Sequence, residues 1–248
     1  MERRQQIRPR DEAVEQIECY IRSRDIAPYG KLPGEREMCE MWGINRTTLR
    51  SAIKRLIEEG KLYSRKGSGT YVAPPKLERN LQDAKSTTES VRGAGHSLRN
   101  RVLDIEVKQA SSYEAEKLAI PEGKKVFHLR RLRIMDGVPY MIEASTINYE
   151  CCPGIESYDF CDESLYRVLN YNGVYLTQGQ ESVGITYATE EEAKLLQVEE
   201  GAALFFIIGV CGTPQGKPVE YFKAVARADK VRFSSVLRRA AKQRKGEH

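Results

Sequence analysis

In DEAVEQIECYIRS, residues 11–23, the apolar positions Val14, Ile17, Tyr20 and Ile21 fall at i, i+3, i+6 and i+7. That is the spacing of one face of an amphipathic helix. A turn at PYGKLPG follows, then a short second helix over EREMCEMW that ends at Gly43, whose missing Cβ suits a left-handed cap. Asn45 stands where an N-cap belongs, and Leu49, Ala52, Ile53, Leu56 and Ile57 make one apolar stripe along a third helix. Arg46, Thr47, Arg50 and Lys54 fall mainly on the opposite side. The exposed first turn thus sets two guanidiniums beside the positive end of the helix dipole, a polarity that suits an anion. Between the β-prone Tyr63 and Tyr71, RKGSG supplies the turn of a two-stranded ribbon. Arg65 and Lys66 carry its charge, and Gly67 and Gly69 let the backbone approach a groove or a phosphate closely.

Residues 74–101 are polar, begin with a double proline and carry almost no aliphatic periodicity, which predicts a linker between two folding units with a boundary near residue 75. Beyond it the pattern repeats. Ala115, Leu118, Gly123, Gly137 and Pro139 correspond to Ala193, Leu196, Gly201, Gly216 and Pro218. Each copy reads as a capped helix followed by a β-hairpin, with Thr189 and Glu192 placed for a capping box and MDGVP and PQGKP supplying the turns. Two copies are too few for a solenoid. They predict one α+β domain in which two hairpins join an antiparallel sheet and the helices cover a face.

Composition narrows the classes. A chain of 248 residues with 40% hydrophobic and 30% charged content buries a real core, and a formal charge of +5 is weak evidence for a polyanionic partner unless the charge is local. The cysteines (Cys19, Cys39, Cys151, Cys152, Cys161 and Cys211) form no C-x-x-C pair, and His96, His128 and His248 are scattered. No metal, no cofactor and reduced thiols in a cytoplasmic protein are therefore expected. The charged N-terminus lacks the apolar core of a signal peptide, and the longest apolar run, AALFFIIGVCG, is too short for a membrane helix and reads as a buried strand.

Helix, turn, helix and two-stranded ribbon make the winged helix-turn-helix arrangement, in which the last helix enters the major groove. On charge and spacing alone a solvated surface helix with an ordinary hairpin is equally open. The stretch KLPGEREMCEMWGINRTTLRSAIKRLIEEGKLYSRKGSGTYV resembles the DNA-binding domain of GntR-family bacterial transcription regulators, whose signature is L-P-S-E-R-E-L, then G-V-S-R-x-T-V-R-x-A-L-x-x-L, then G-x-G-T-x-V, over roughly residues 12–73. Gly34 departs from the usual serine and removes a helix-capping side chain. The resemblance implies that Arg36, Arg46, Thr47, Thr48 and Arg50 contact DNA, with Lys66 and Gly67 at the wing tip. It also implies a homodimer on a pseudo-palindromic operator in double-stranded DNA, most members being repressors.

LRRLRIMDGVPYMIEAS and GKPVEYFKAVARADKVRF resemble the UTRA effector domain of the HutC branch, which has a chorismate-lyase-like fold, over about residues 98–234. On a strand, Arg131 and Arg133 project from the same face about 6.6 Å apart. Two parallel guanidiniums suit phosphate, sulfate or carboxylate, and equally a ladder of ion pairs with glutamates of the next strand. The resemblance favours the anion site. In sugar-phosphate-binding members a matching Arg-x-Arg pair, hydroxyls like those of KSTTE and a serine like that of ESLYRVL surround the phosphate. The corresponding residues here are Arg131, Arg133, Ser86, Thr87, Thr88 and Ser164. Glu143 is the candidate for binding a hydroxyl: a three-residue hairpin loop at 136–138 sets it opposite Arg131, whereas a two-residue loop sets Ile142 there. Tyr166, Glu220 and Arg227 either line the pocket or brace the core. Ala226 stands where such members can carry a tyrosine, so the implied effector is a phosphorylated or otherwise anionic metabolite, a sugar phosphate being one case.

The expected organisation is therefore α+β in two domains: a winged helix-turn-helix over 1–74, a linker over 75–97 that contributes to the effector site, and an effector-binding and dimerisation domain over 98–248. The expected function is ligand-responsive transcription regulation, with effector binding ordering KSTTE. The rivals are a lyase-like enzyme on the second fold, for which no nucleophile–base pair, metal set or cofactor loop stands out, and an effector-independent DNA-binding protein. The basic tail LRRAAKQRKGEH reads as a solvated end, with a secondary role in DNA affinity as the alternative.

Overall fold

A computed structural model of the chain describes residues 8–65, 67–83 and 85–236. The chain divides into two compact units between Lys76 and Leu77. The first contains α1 (Pro9–Ser23), α2 (Glu35–Trp42), α3 (Arg46–Glu58), β1 (Leu62–Arg65) and β2 (Gly69–Val72). Ala13, Val14 and Ile17 of α1 pack on Met38 of α2 and on Leu49, Ala52, Ile53 and Leu56 of α3, and Leu62 of β1 closes that core. Ile57, the last member of the predicted stripe, is exposed instead. Gly43 ends α2 at φ 64°, and Asn45 Oδ1 accepts from the Thr48 amide at 2.8 Å to start α3. Gly34 occupies the N-cap of α2 without a side-chain hydrogen bond, the consequence of its departure from serine.

The second unit is built on a six-stranded antiparallel sheet with strand order β4-β5-β6-β9-β8-β7. The strands are β4 (Leu98–Gln109), β5 (Lys125–Met135), β6 (Val138–Asn148), β7 (Gln178–Tyr187), β8 (Ala203–Gly212) and β9 (Pro218–Arg227). The long apolar run forms β8, as expected. Among the described residues the sheet is accompanied by the α-helices α4 (Thr87–Gly93), α5 (Ser112–Leu118), α6 (Leu165–Tyr171) and α7 (Glu190–Leu196). Capping boxes start α5 at Ser111 with Glu114 and α7 at Thr189 with Glu192. The repeat is longer than its sequence pattern: each copy begins one strand earlier, giving β4-α5-β5-β6 and β7-α7-β8-β9, with β6 and β9 adjacent at the middle of the sheet.

Helices lie on both faces rather than one. On one face, α5 packs through Ala115 and Leu118 onto Val126 and Tyr221, and α7 through Ala193 and Leu196 onto Leu132, Ile142 and Val225. On the other, α6 packs through Leu165, Val168 and Leu169 onto Phe127, Leu129 and Ile147. Beside it Leu77, Val91 and Val231 cover Met135, Met141 and Ile207. The segment 75–97, expected as linker, is therefore partly structural: β3 (Leu77–Asn80) pairs in parallel with β10 (Val231–Ser234), and Ser86 and Glu89 form a capping box on α4. KSTTE thus carries its own helix-capping residues, Ser86 and Glu89.

The β5–β6 hairpin departs from both alternatives read from the sequence. Its loop is the two residues Asp136 and Gly137, at φ 50° and 79°, the double positive φ of a type I′ turn. A bulge then opposes Arg133 to Met141 while Ile134 opposes Pro139, leaving Tyr140 as the extra residue. Past the bulge Arg131 pairs with Glu143. Tyr140 is fully buried, which anchors the bulge in the core.

Candidate functional site

In the first unit, the opening turn of α3 is open to solvent: Arg46, Thr47 and Arg50 are exposed and Thr48 is half-buried. Glu35 at the start of α2 holds both arginines, accepting from Arg46 Nε at 3.0 Å and from Arg50 Nε at 2.9 Å. Burial raises the Glu35 carboxyl, but hydrogen bonds from Arg46 and Arg50 and their charges outweigh it and hold it below the usual carboxylate range. Arg36, whose side chain is 92% exposed, pairs with Glu40 one turn on. Glu35 went unnoticed in the sequence because its partners are eleven and fifteen residues away.

In the ribbon, Tyr63 and Tyr71 lie opposite each other and stack at 5.5 Å, and the Arg65 guanidinium sits 5.1 Å from the Tyr71 ring centre. This cation–π clamp directs a positive group along the wing. Gly67 has φ 73° with open space where a side chain would project. Lys66 and the tail from 237 to 248 lie outside the described residues.

In the second unit, a cavity of about 360 Å³ opens on the face of the sheet covered by α4 and α6. Every sequence-predicted effector residue lines it except Arg227: Ser86, Thr87 and Thr88 from the start of α4, Arg131 and Arg133 from β5, Glu143 from β6, Ser164 and Tyr166 at the start of α6, and Glu220 from β9. Strand parity explains the exception. Seven residues separate Glu220 from Arg227, so their side chains leave opposite faces. Arg227 instead donates to the Leu196 carbonyl at the end of α7 at 3.1 Å and to Asp229 at 2.7 Å, a bracing role.

Glu143 settles between the two guanidiniums. Arg131 Nη2 donates to its Oε2 at 3.0 Å, Arg133 donates to the same oxygen through Nε at 3.1 Å and through Nη2, and Thr87 Oγ1 donates to Oε1 at 2.8 Å. Arg133 also donates to Asn100 Oδ1 at 2.9 Å. The ion pair anticipated as the alternative to an anion site is thus present, buried and sharing one carboxylate between two cations. Burial alone would raise the Glu143 carboxyl; the fields of Arg133 and Arg131 override it and hold it at about 2. Burial, then repulsion from Arg133, push Arg131 down to about 10, so it stays charged at neutral pH. Arg131 Nε and Nη1 are buried without a hydrogen-bond partner among the described residues. At the other end, Glu220 Oε2 accepts from the Tyr166 hydroxyl at 2.7 Å, and burial raises the Glu220 carboxyl.

Sequence reasoning missed three groups of lining residues: Arg79 with Glu181, which pair at 3.1 Å, Lys85 with Asp83, and the Cys211 and Phe222 wall. Arg79 and Glu181 are 102 residues apart, and no local pattern ties them. Lys85 lies inside KSTTE, where the hydroxyls drew the reading.

The candidate DNA contacts fall within one family match and the cavity residues from Arg131 to Glu220 within the other, with Ser86, Thr87 and Thr88 lying between the two. The model of bacterial regulatory proteins of the gntR family matches residues 9–72, and that of the UTRA domain matches residues 93–232. The HTH-type transcriptional repressor NagR of Bacillus subtilis is 30% identical over 89% of this chain and 90% of its own. The histidine utilization repressor of Pseudomonas putida is 31% identical over 73% of this chain and 72% of its own. The crystal structure of PhnF from Mycobacterium smegmatis superposes with a TM-score of 0.68 at 23% identity, covering 91% of this chain and 99% of that one, a likeness of fold. Family and relatives are transcriptional regulators and not enzymes. Among the described residues no helix is long and apolar enough to cross a membrane. A winged helix-turn-helix followed by a UTRA sheet, matched along nearly the whole length of a named repressor, places this chain in the gntR family of bacterial transcription regulators, in its UTRA-bearing HutC branch.

Proposed function

We propose that the protein is a homodimeric cytoplasmic repressor that leaves its operator when a small phosphorylated metabolite enters the second unit's cavity. The first unit, residues 1–74, lays α3 in the major groove, where Arg46, Thr47, Thr48 and Arg50 reach bases and phosphates. Arg36 supports them, and Lys66 and Gly67 supply the wing contact. Residues 98–248 carry dimerisation and, with the segment 75–97, the effector site. Ser86, Thr87, Thr88 and Ser164 offer hydroxyls, and Arg131 and Arg133 the charge. The repressors among the relatives support the sign of the response.

The observation that carries the effector reading is the unequal charge at Arg131 and Arg133. Two buried guanidiniums share one carboxylate, and Arg131 keeps two donors open. A buried donor without a partner costs about 1–3 kcal/mol, so a group that fills it gains that much. An oxyanion fits because it answers both the geometry and the excess charge. Coupling to DNA runs through Thr87, whose bond to Glu143 ties the start of α4 to the arginine pair. An anion drawing Arg131 towards itself changes the hold on Glu143 and hence on α4.

A thermal-shift screen of the full chain with phosphorylated sugars, phosphorylated amino acids and phosphonates tests this. At least one phosphate ester should raise the melting temperature, by about 2.7 kcal/mol of stabilisation at a hundred times its Kd. The same compound should release an operator fragment in a mobility-shift assay, and Arg131→Ala should abolish both effects. Melting unchanged by every anion would exclude the reading.

A further inference from the structure

The cavity is not uniformly basic. Of the charged side chains that line it, Arg79 pairs with Glu181 at 3.1 Å and Lys85 with Asp83 at 2.6 Å, so those two pairs cancel locally. Arg131 and Arg133 share Glu143, leaving one positive charge in excess at that end. Glu220, 3% exposed, forms no ion pair among the described residues, and the neutral Tyr166 hydroxyl donates to it at 2.7 Å. The lining therefore holds a positive excess and a negative excess at separate places. Glu220 lies four residues along β9 from Ala224, the strand partner of Glu143, which is about 13 Å of strand. Both ends line the same cavity.

A buried carboxylate without a cation is costly, and a ligand that brings the cation recovers the cost. A simple phosphate ester answers Arg131 only. A hydroxyl at the far end donates one hydrogen bond to Glu220 and leaves its charge unmatched. A protonated amine does both. We infer that the effector is a zwitterion, a phosphorylated amine whose phosphate sits at Arg131 and Arg133 and whose ammonium group is held by Glu220, with the Tyr166 hydroxyl fixing the orientation of that carboxylate. This rests on the reading of the cavity as an anion-binding effector site and adds the second recognition element that selects among anions.

The experiment is calorimetric titration of the full chain at neutral pH with matched probes. These are glucosamine phosphate and aminobutyl phosphate, each beside its hydroxyl analogue, glucose phosphate and hydroxybutyl phosphate, all phosphorylated at the end remote from the amine. The amine of at least one pair should bind at least about tenfold more tightly than its hydroxyl analogue, because the second charge pair forms away from water. Glu220→Gln, which keeps an acceptor for Tyr166, should bring that ratio close to one while the hydroxyl analogue still binds; its melting curve verifies that it folds. Equal binding of amine and hydroxyl in every pair that binds would overturn the ammonium end and leave the anion site standing. A preference that survives Glu220→Gln would overturn the assignment to Glu220. If neither inorganic phosphate nor any of the four esters binds, the anion site falls and this inference falls with it.

Discussion

Glu143 and Glu220 are both buried carboxylates on neighbouring strands, yet their surroundings push them in opposite directions. Glu143 is held at about 2, below its unfolded value of 4.5, so its contribution to stability is present above pH 4.5 and is lost as pH falls towards 2. Glu143→Gln should therefore destabilise the second unit by about 3–5 kcal/mol at neutral pH, because it leaves two buried guanidiniums without their carboxylate. The deficit should shrink below pH 4.5. Glu220 has a folded value above 4.5, so its favourable contribution is present below that pH and is lost as pH rises. In the absence of ligand, Glu220→Gln should stabilise the protein by about 1 kcal/mol at neutral pH and make no difference in acid. Melting curves of the two variants from pH 3 to about pH 7 check both signs. At this scale the sequence was informative where the side chains share a strand, as Arg131 and Arg133 do. It was silent where the chemistry depends on residues far apart, such as the hold of Glu35 on Arg46 and Arg50. The same two-residue period that grouped the arginines also separates Arg227 from Glu220.

Among the elements, α3 presents its first turn because Asn45 caps it and Glu35 holds its arginines in place. Arg46→Ala should cost about 1–3 kcal/mol in operator affinity if Arg46 reads a base. An equal loss on random duplex, measured by fluorescence anisotropy, would make it a phosphate contact. In the wing, Gly67 has room for a methyl group but a φ of 73° that other residues rarely adopt. Gly67→Ala should thus lower the stability of the first unit by about 1 kcal/mol through backbone strain alone, and Gly67→Asn by less. Melting of the two variants checks that order. Helix boundaries were legible because caps announce them: Gly43, Asn45 and Thr189 all stand where their helices end or begin. The β5–β6 register was not. A hairpin turn and a bulge each shift the pairing by one residue, and no local pattern says that Tyr140 takes the bulge; its burial in the core decides it.

For the molecule as a whole, the proposed function makes operator binding and effector binding linked, and linkage is reciprocal. If a phosphate ester weakens operator affinity by a given factor, the operator should weaken the affinity for that ester by the same factor, about 5–150-fold for an ordinary coupling. Titrating each ligand in the presence and absence of the other measures it; unequal factors would mean that a further equilibrium, such as dimerisation, takes part. Raising salt should lower operator affinity steeply through counterion release while affecting the buried Arg131 and Arg133 less. The division near residue 75 and the internal repeat could be read from proline and glycine placement. The leading strand of each copy could not, because β4 and β7 lie at the two ends of the sheet and their half-exposed residues carry little periodicity.

The repeat also bears on how a ligand can lie in the cavity. Aligning Gly123 with Gly201 sets Arg131 and Arg133 against Gly209 and Cys211, and aligning Pro139 with Pro218 sets Met141 and Glu143 against Glu220 and Phe222. The strand pairing agrees, for Gly209 faces Phe222 as Arg131 faces Glu143, and Cys211 faces Glu220 as Arg133 faces Met141. Two halves with the same backbone have thus kept opposite charges, basic in one and acidic in the other. A pseudo-dyad with matching halves would admit a guest head-first or tail-first; this one gives the two orientations of a dipolar guest different energies.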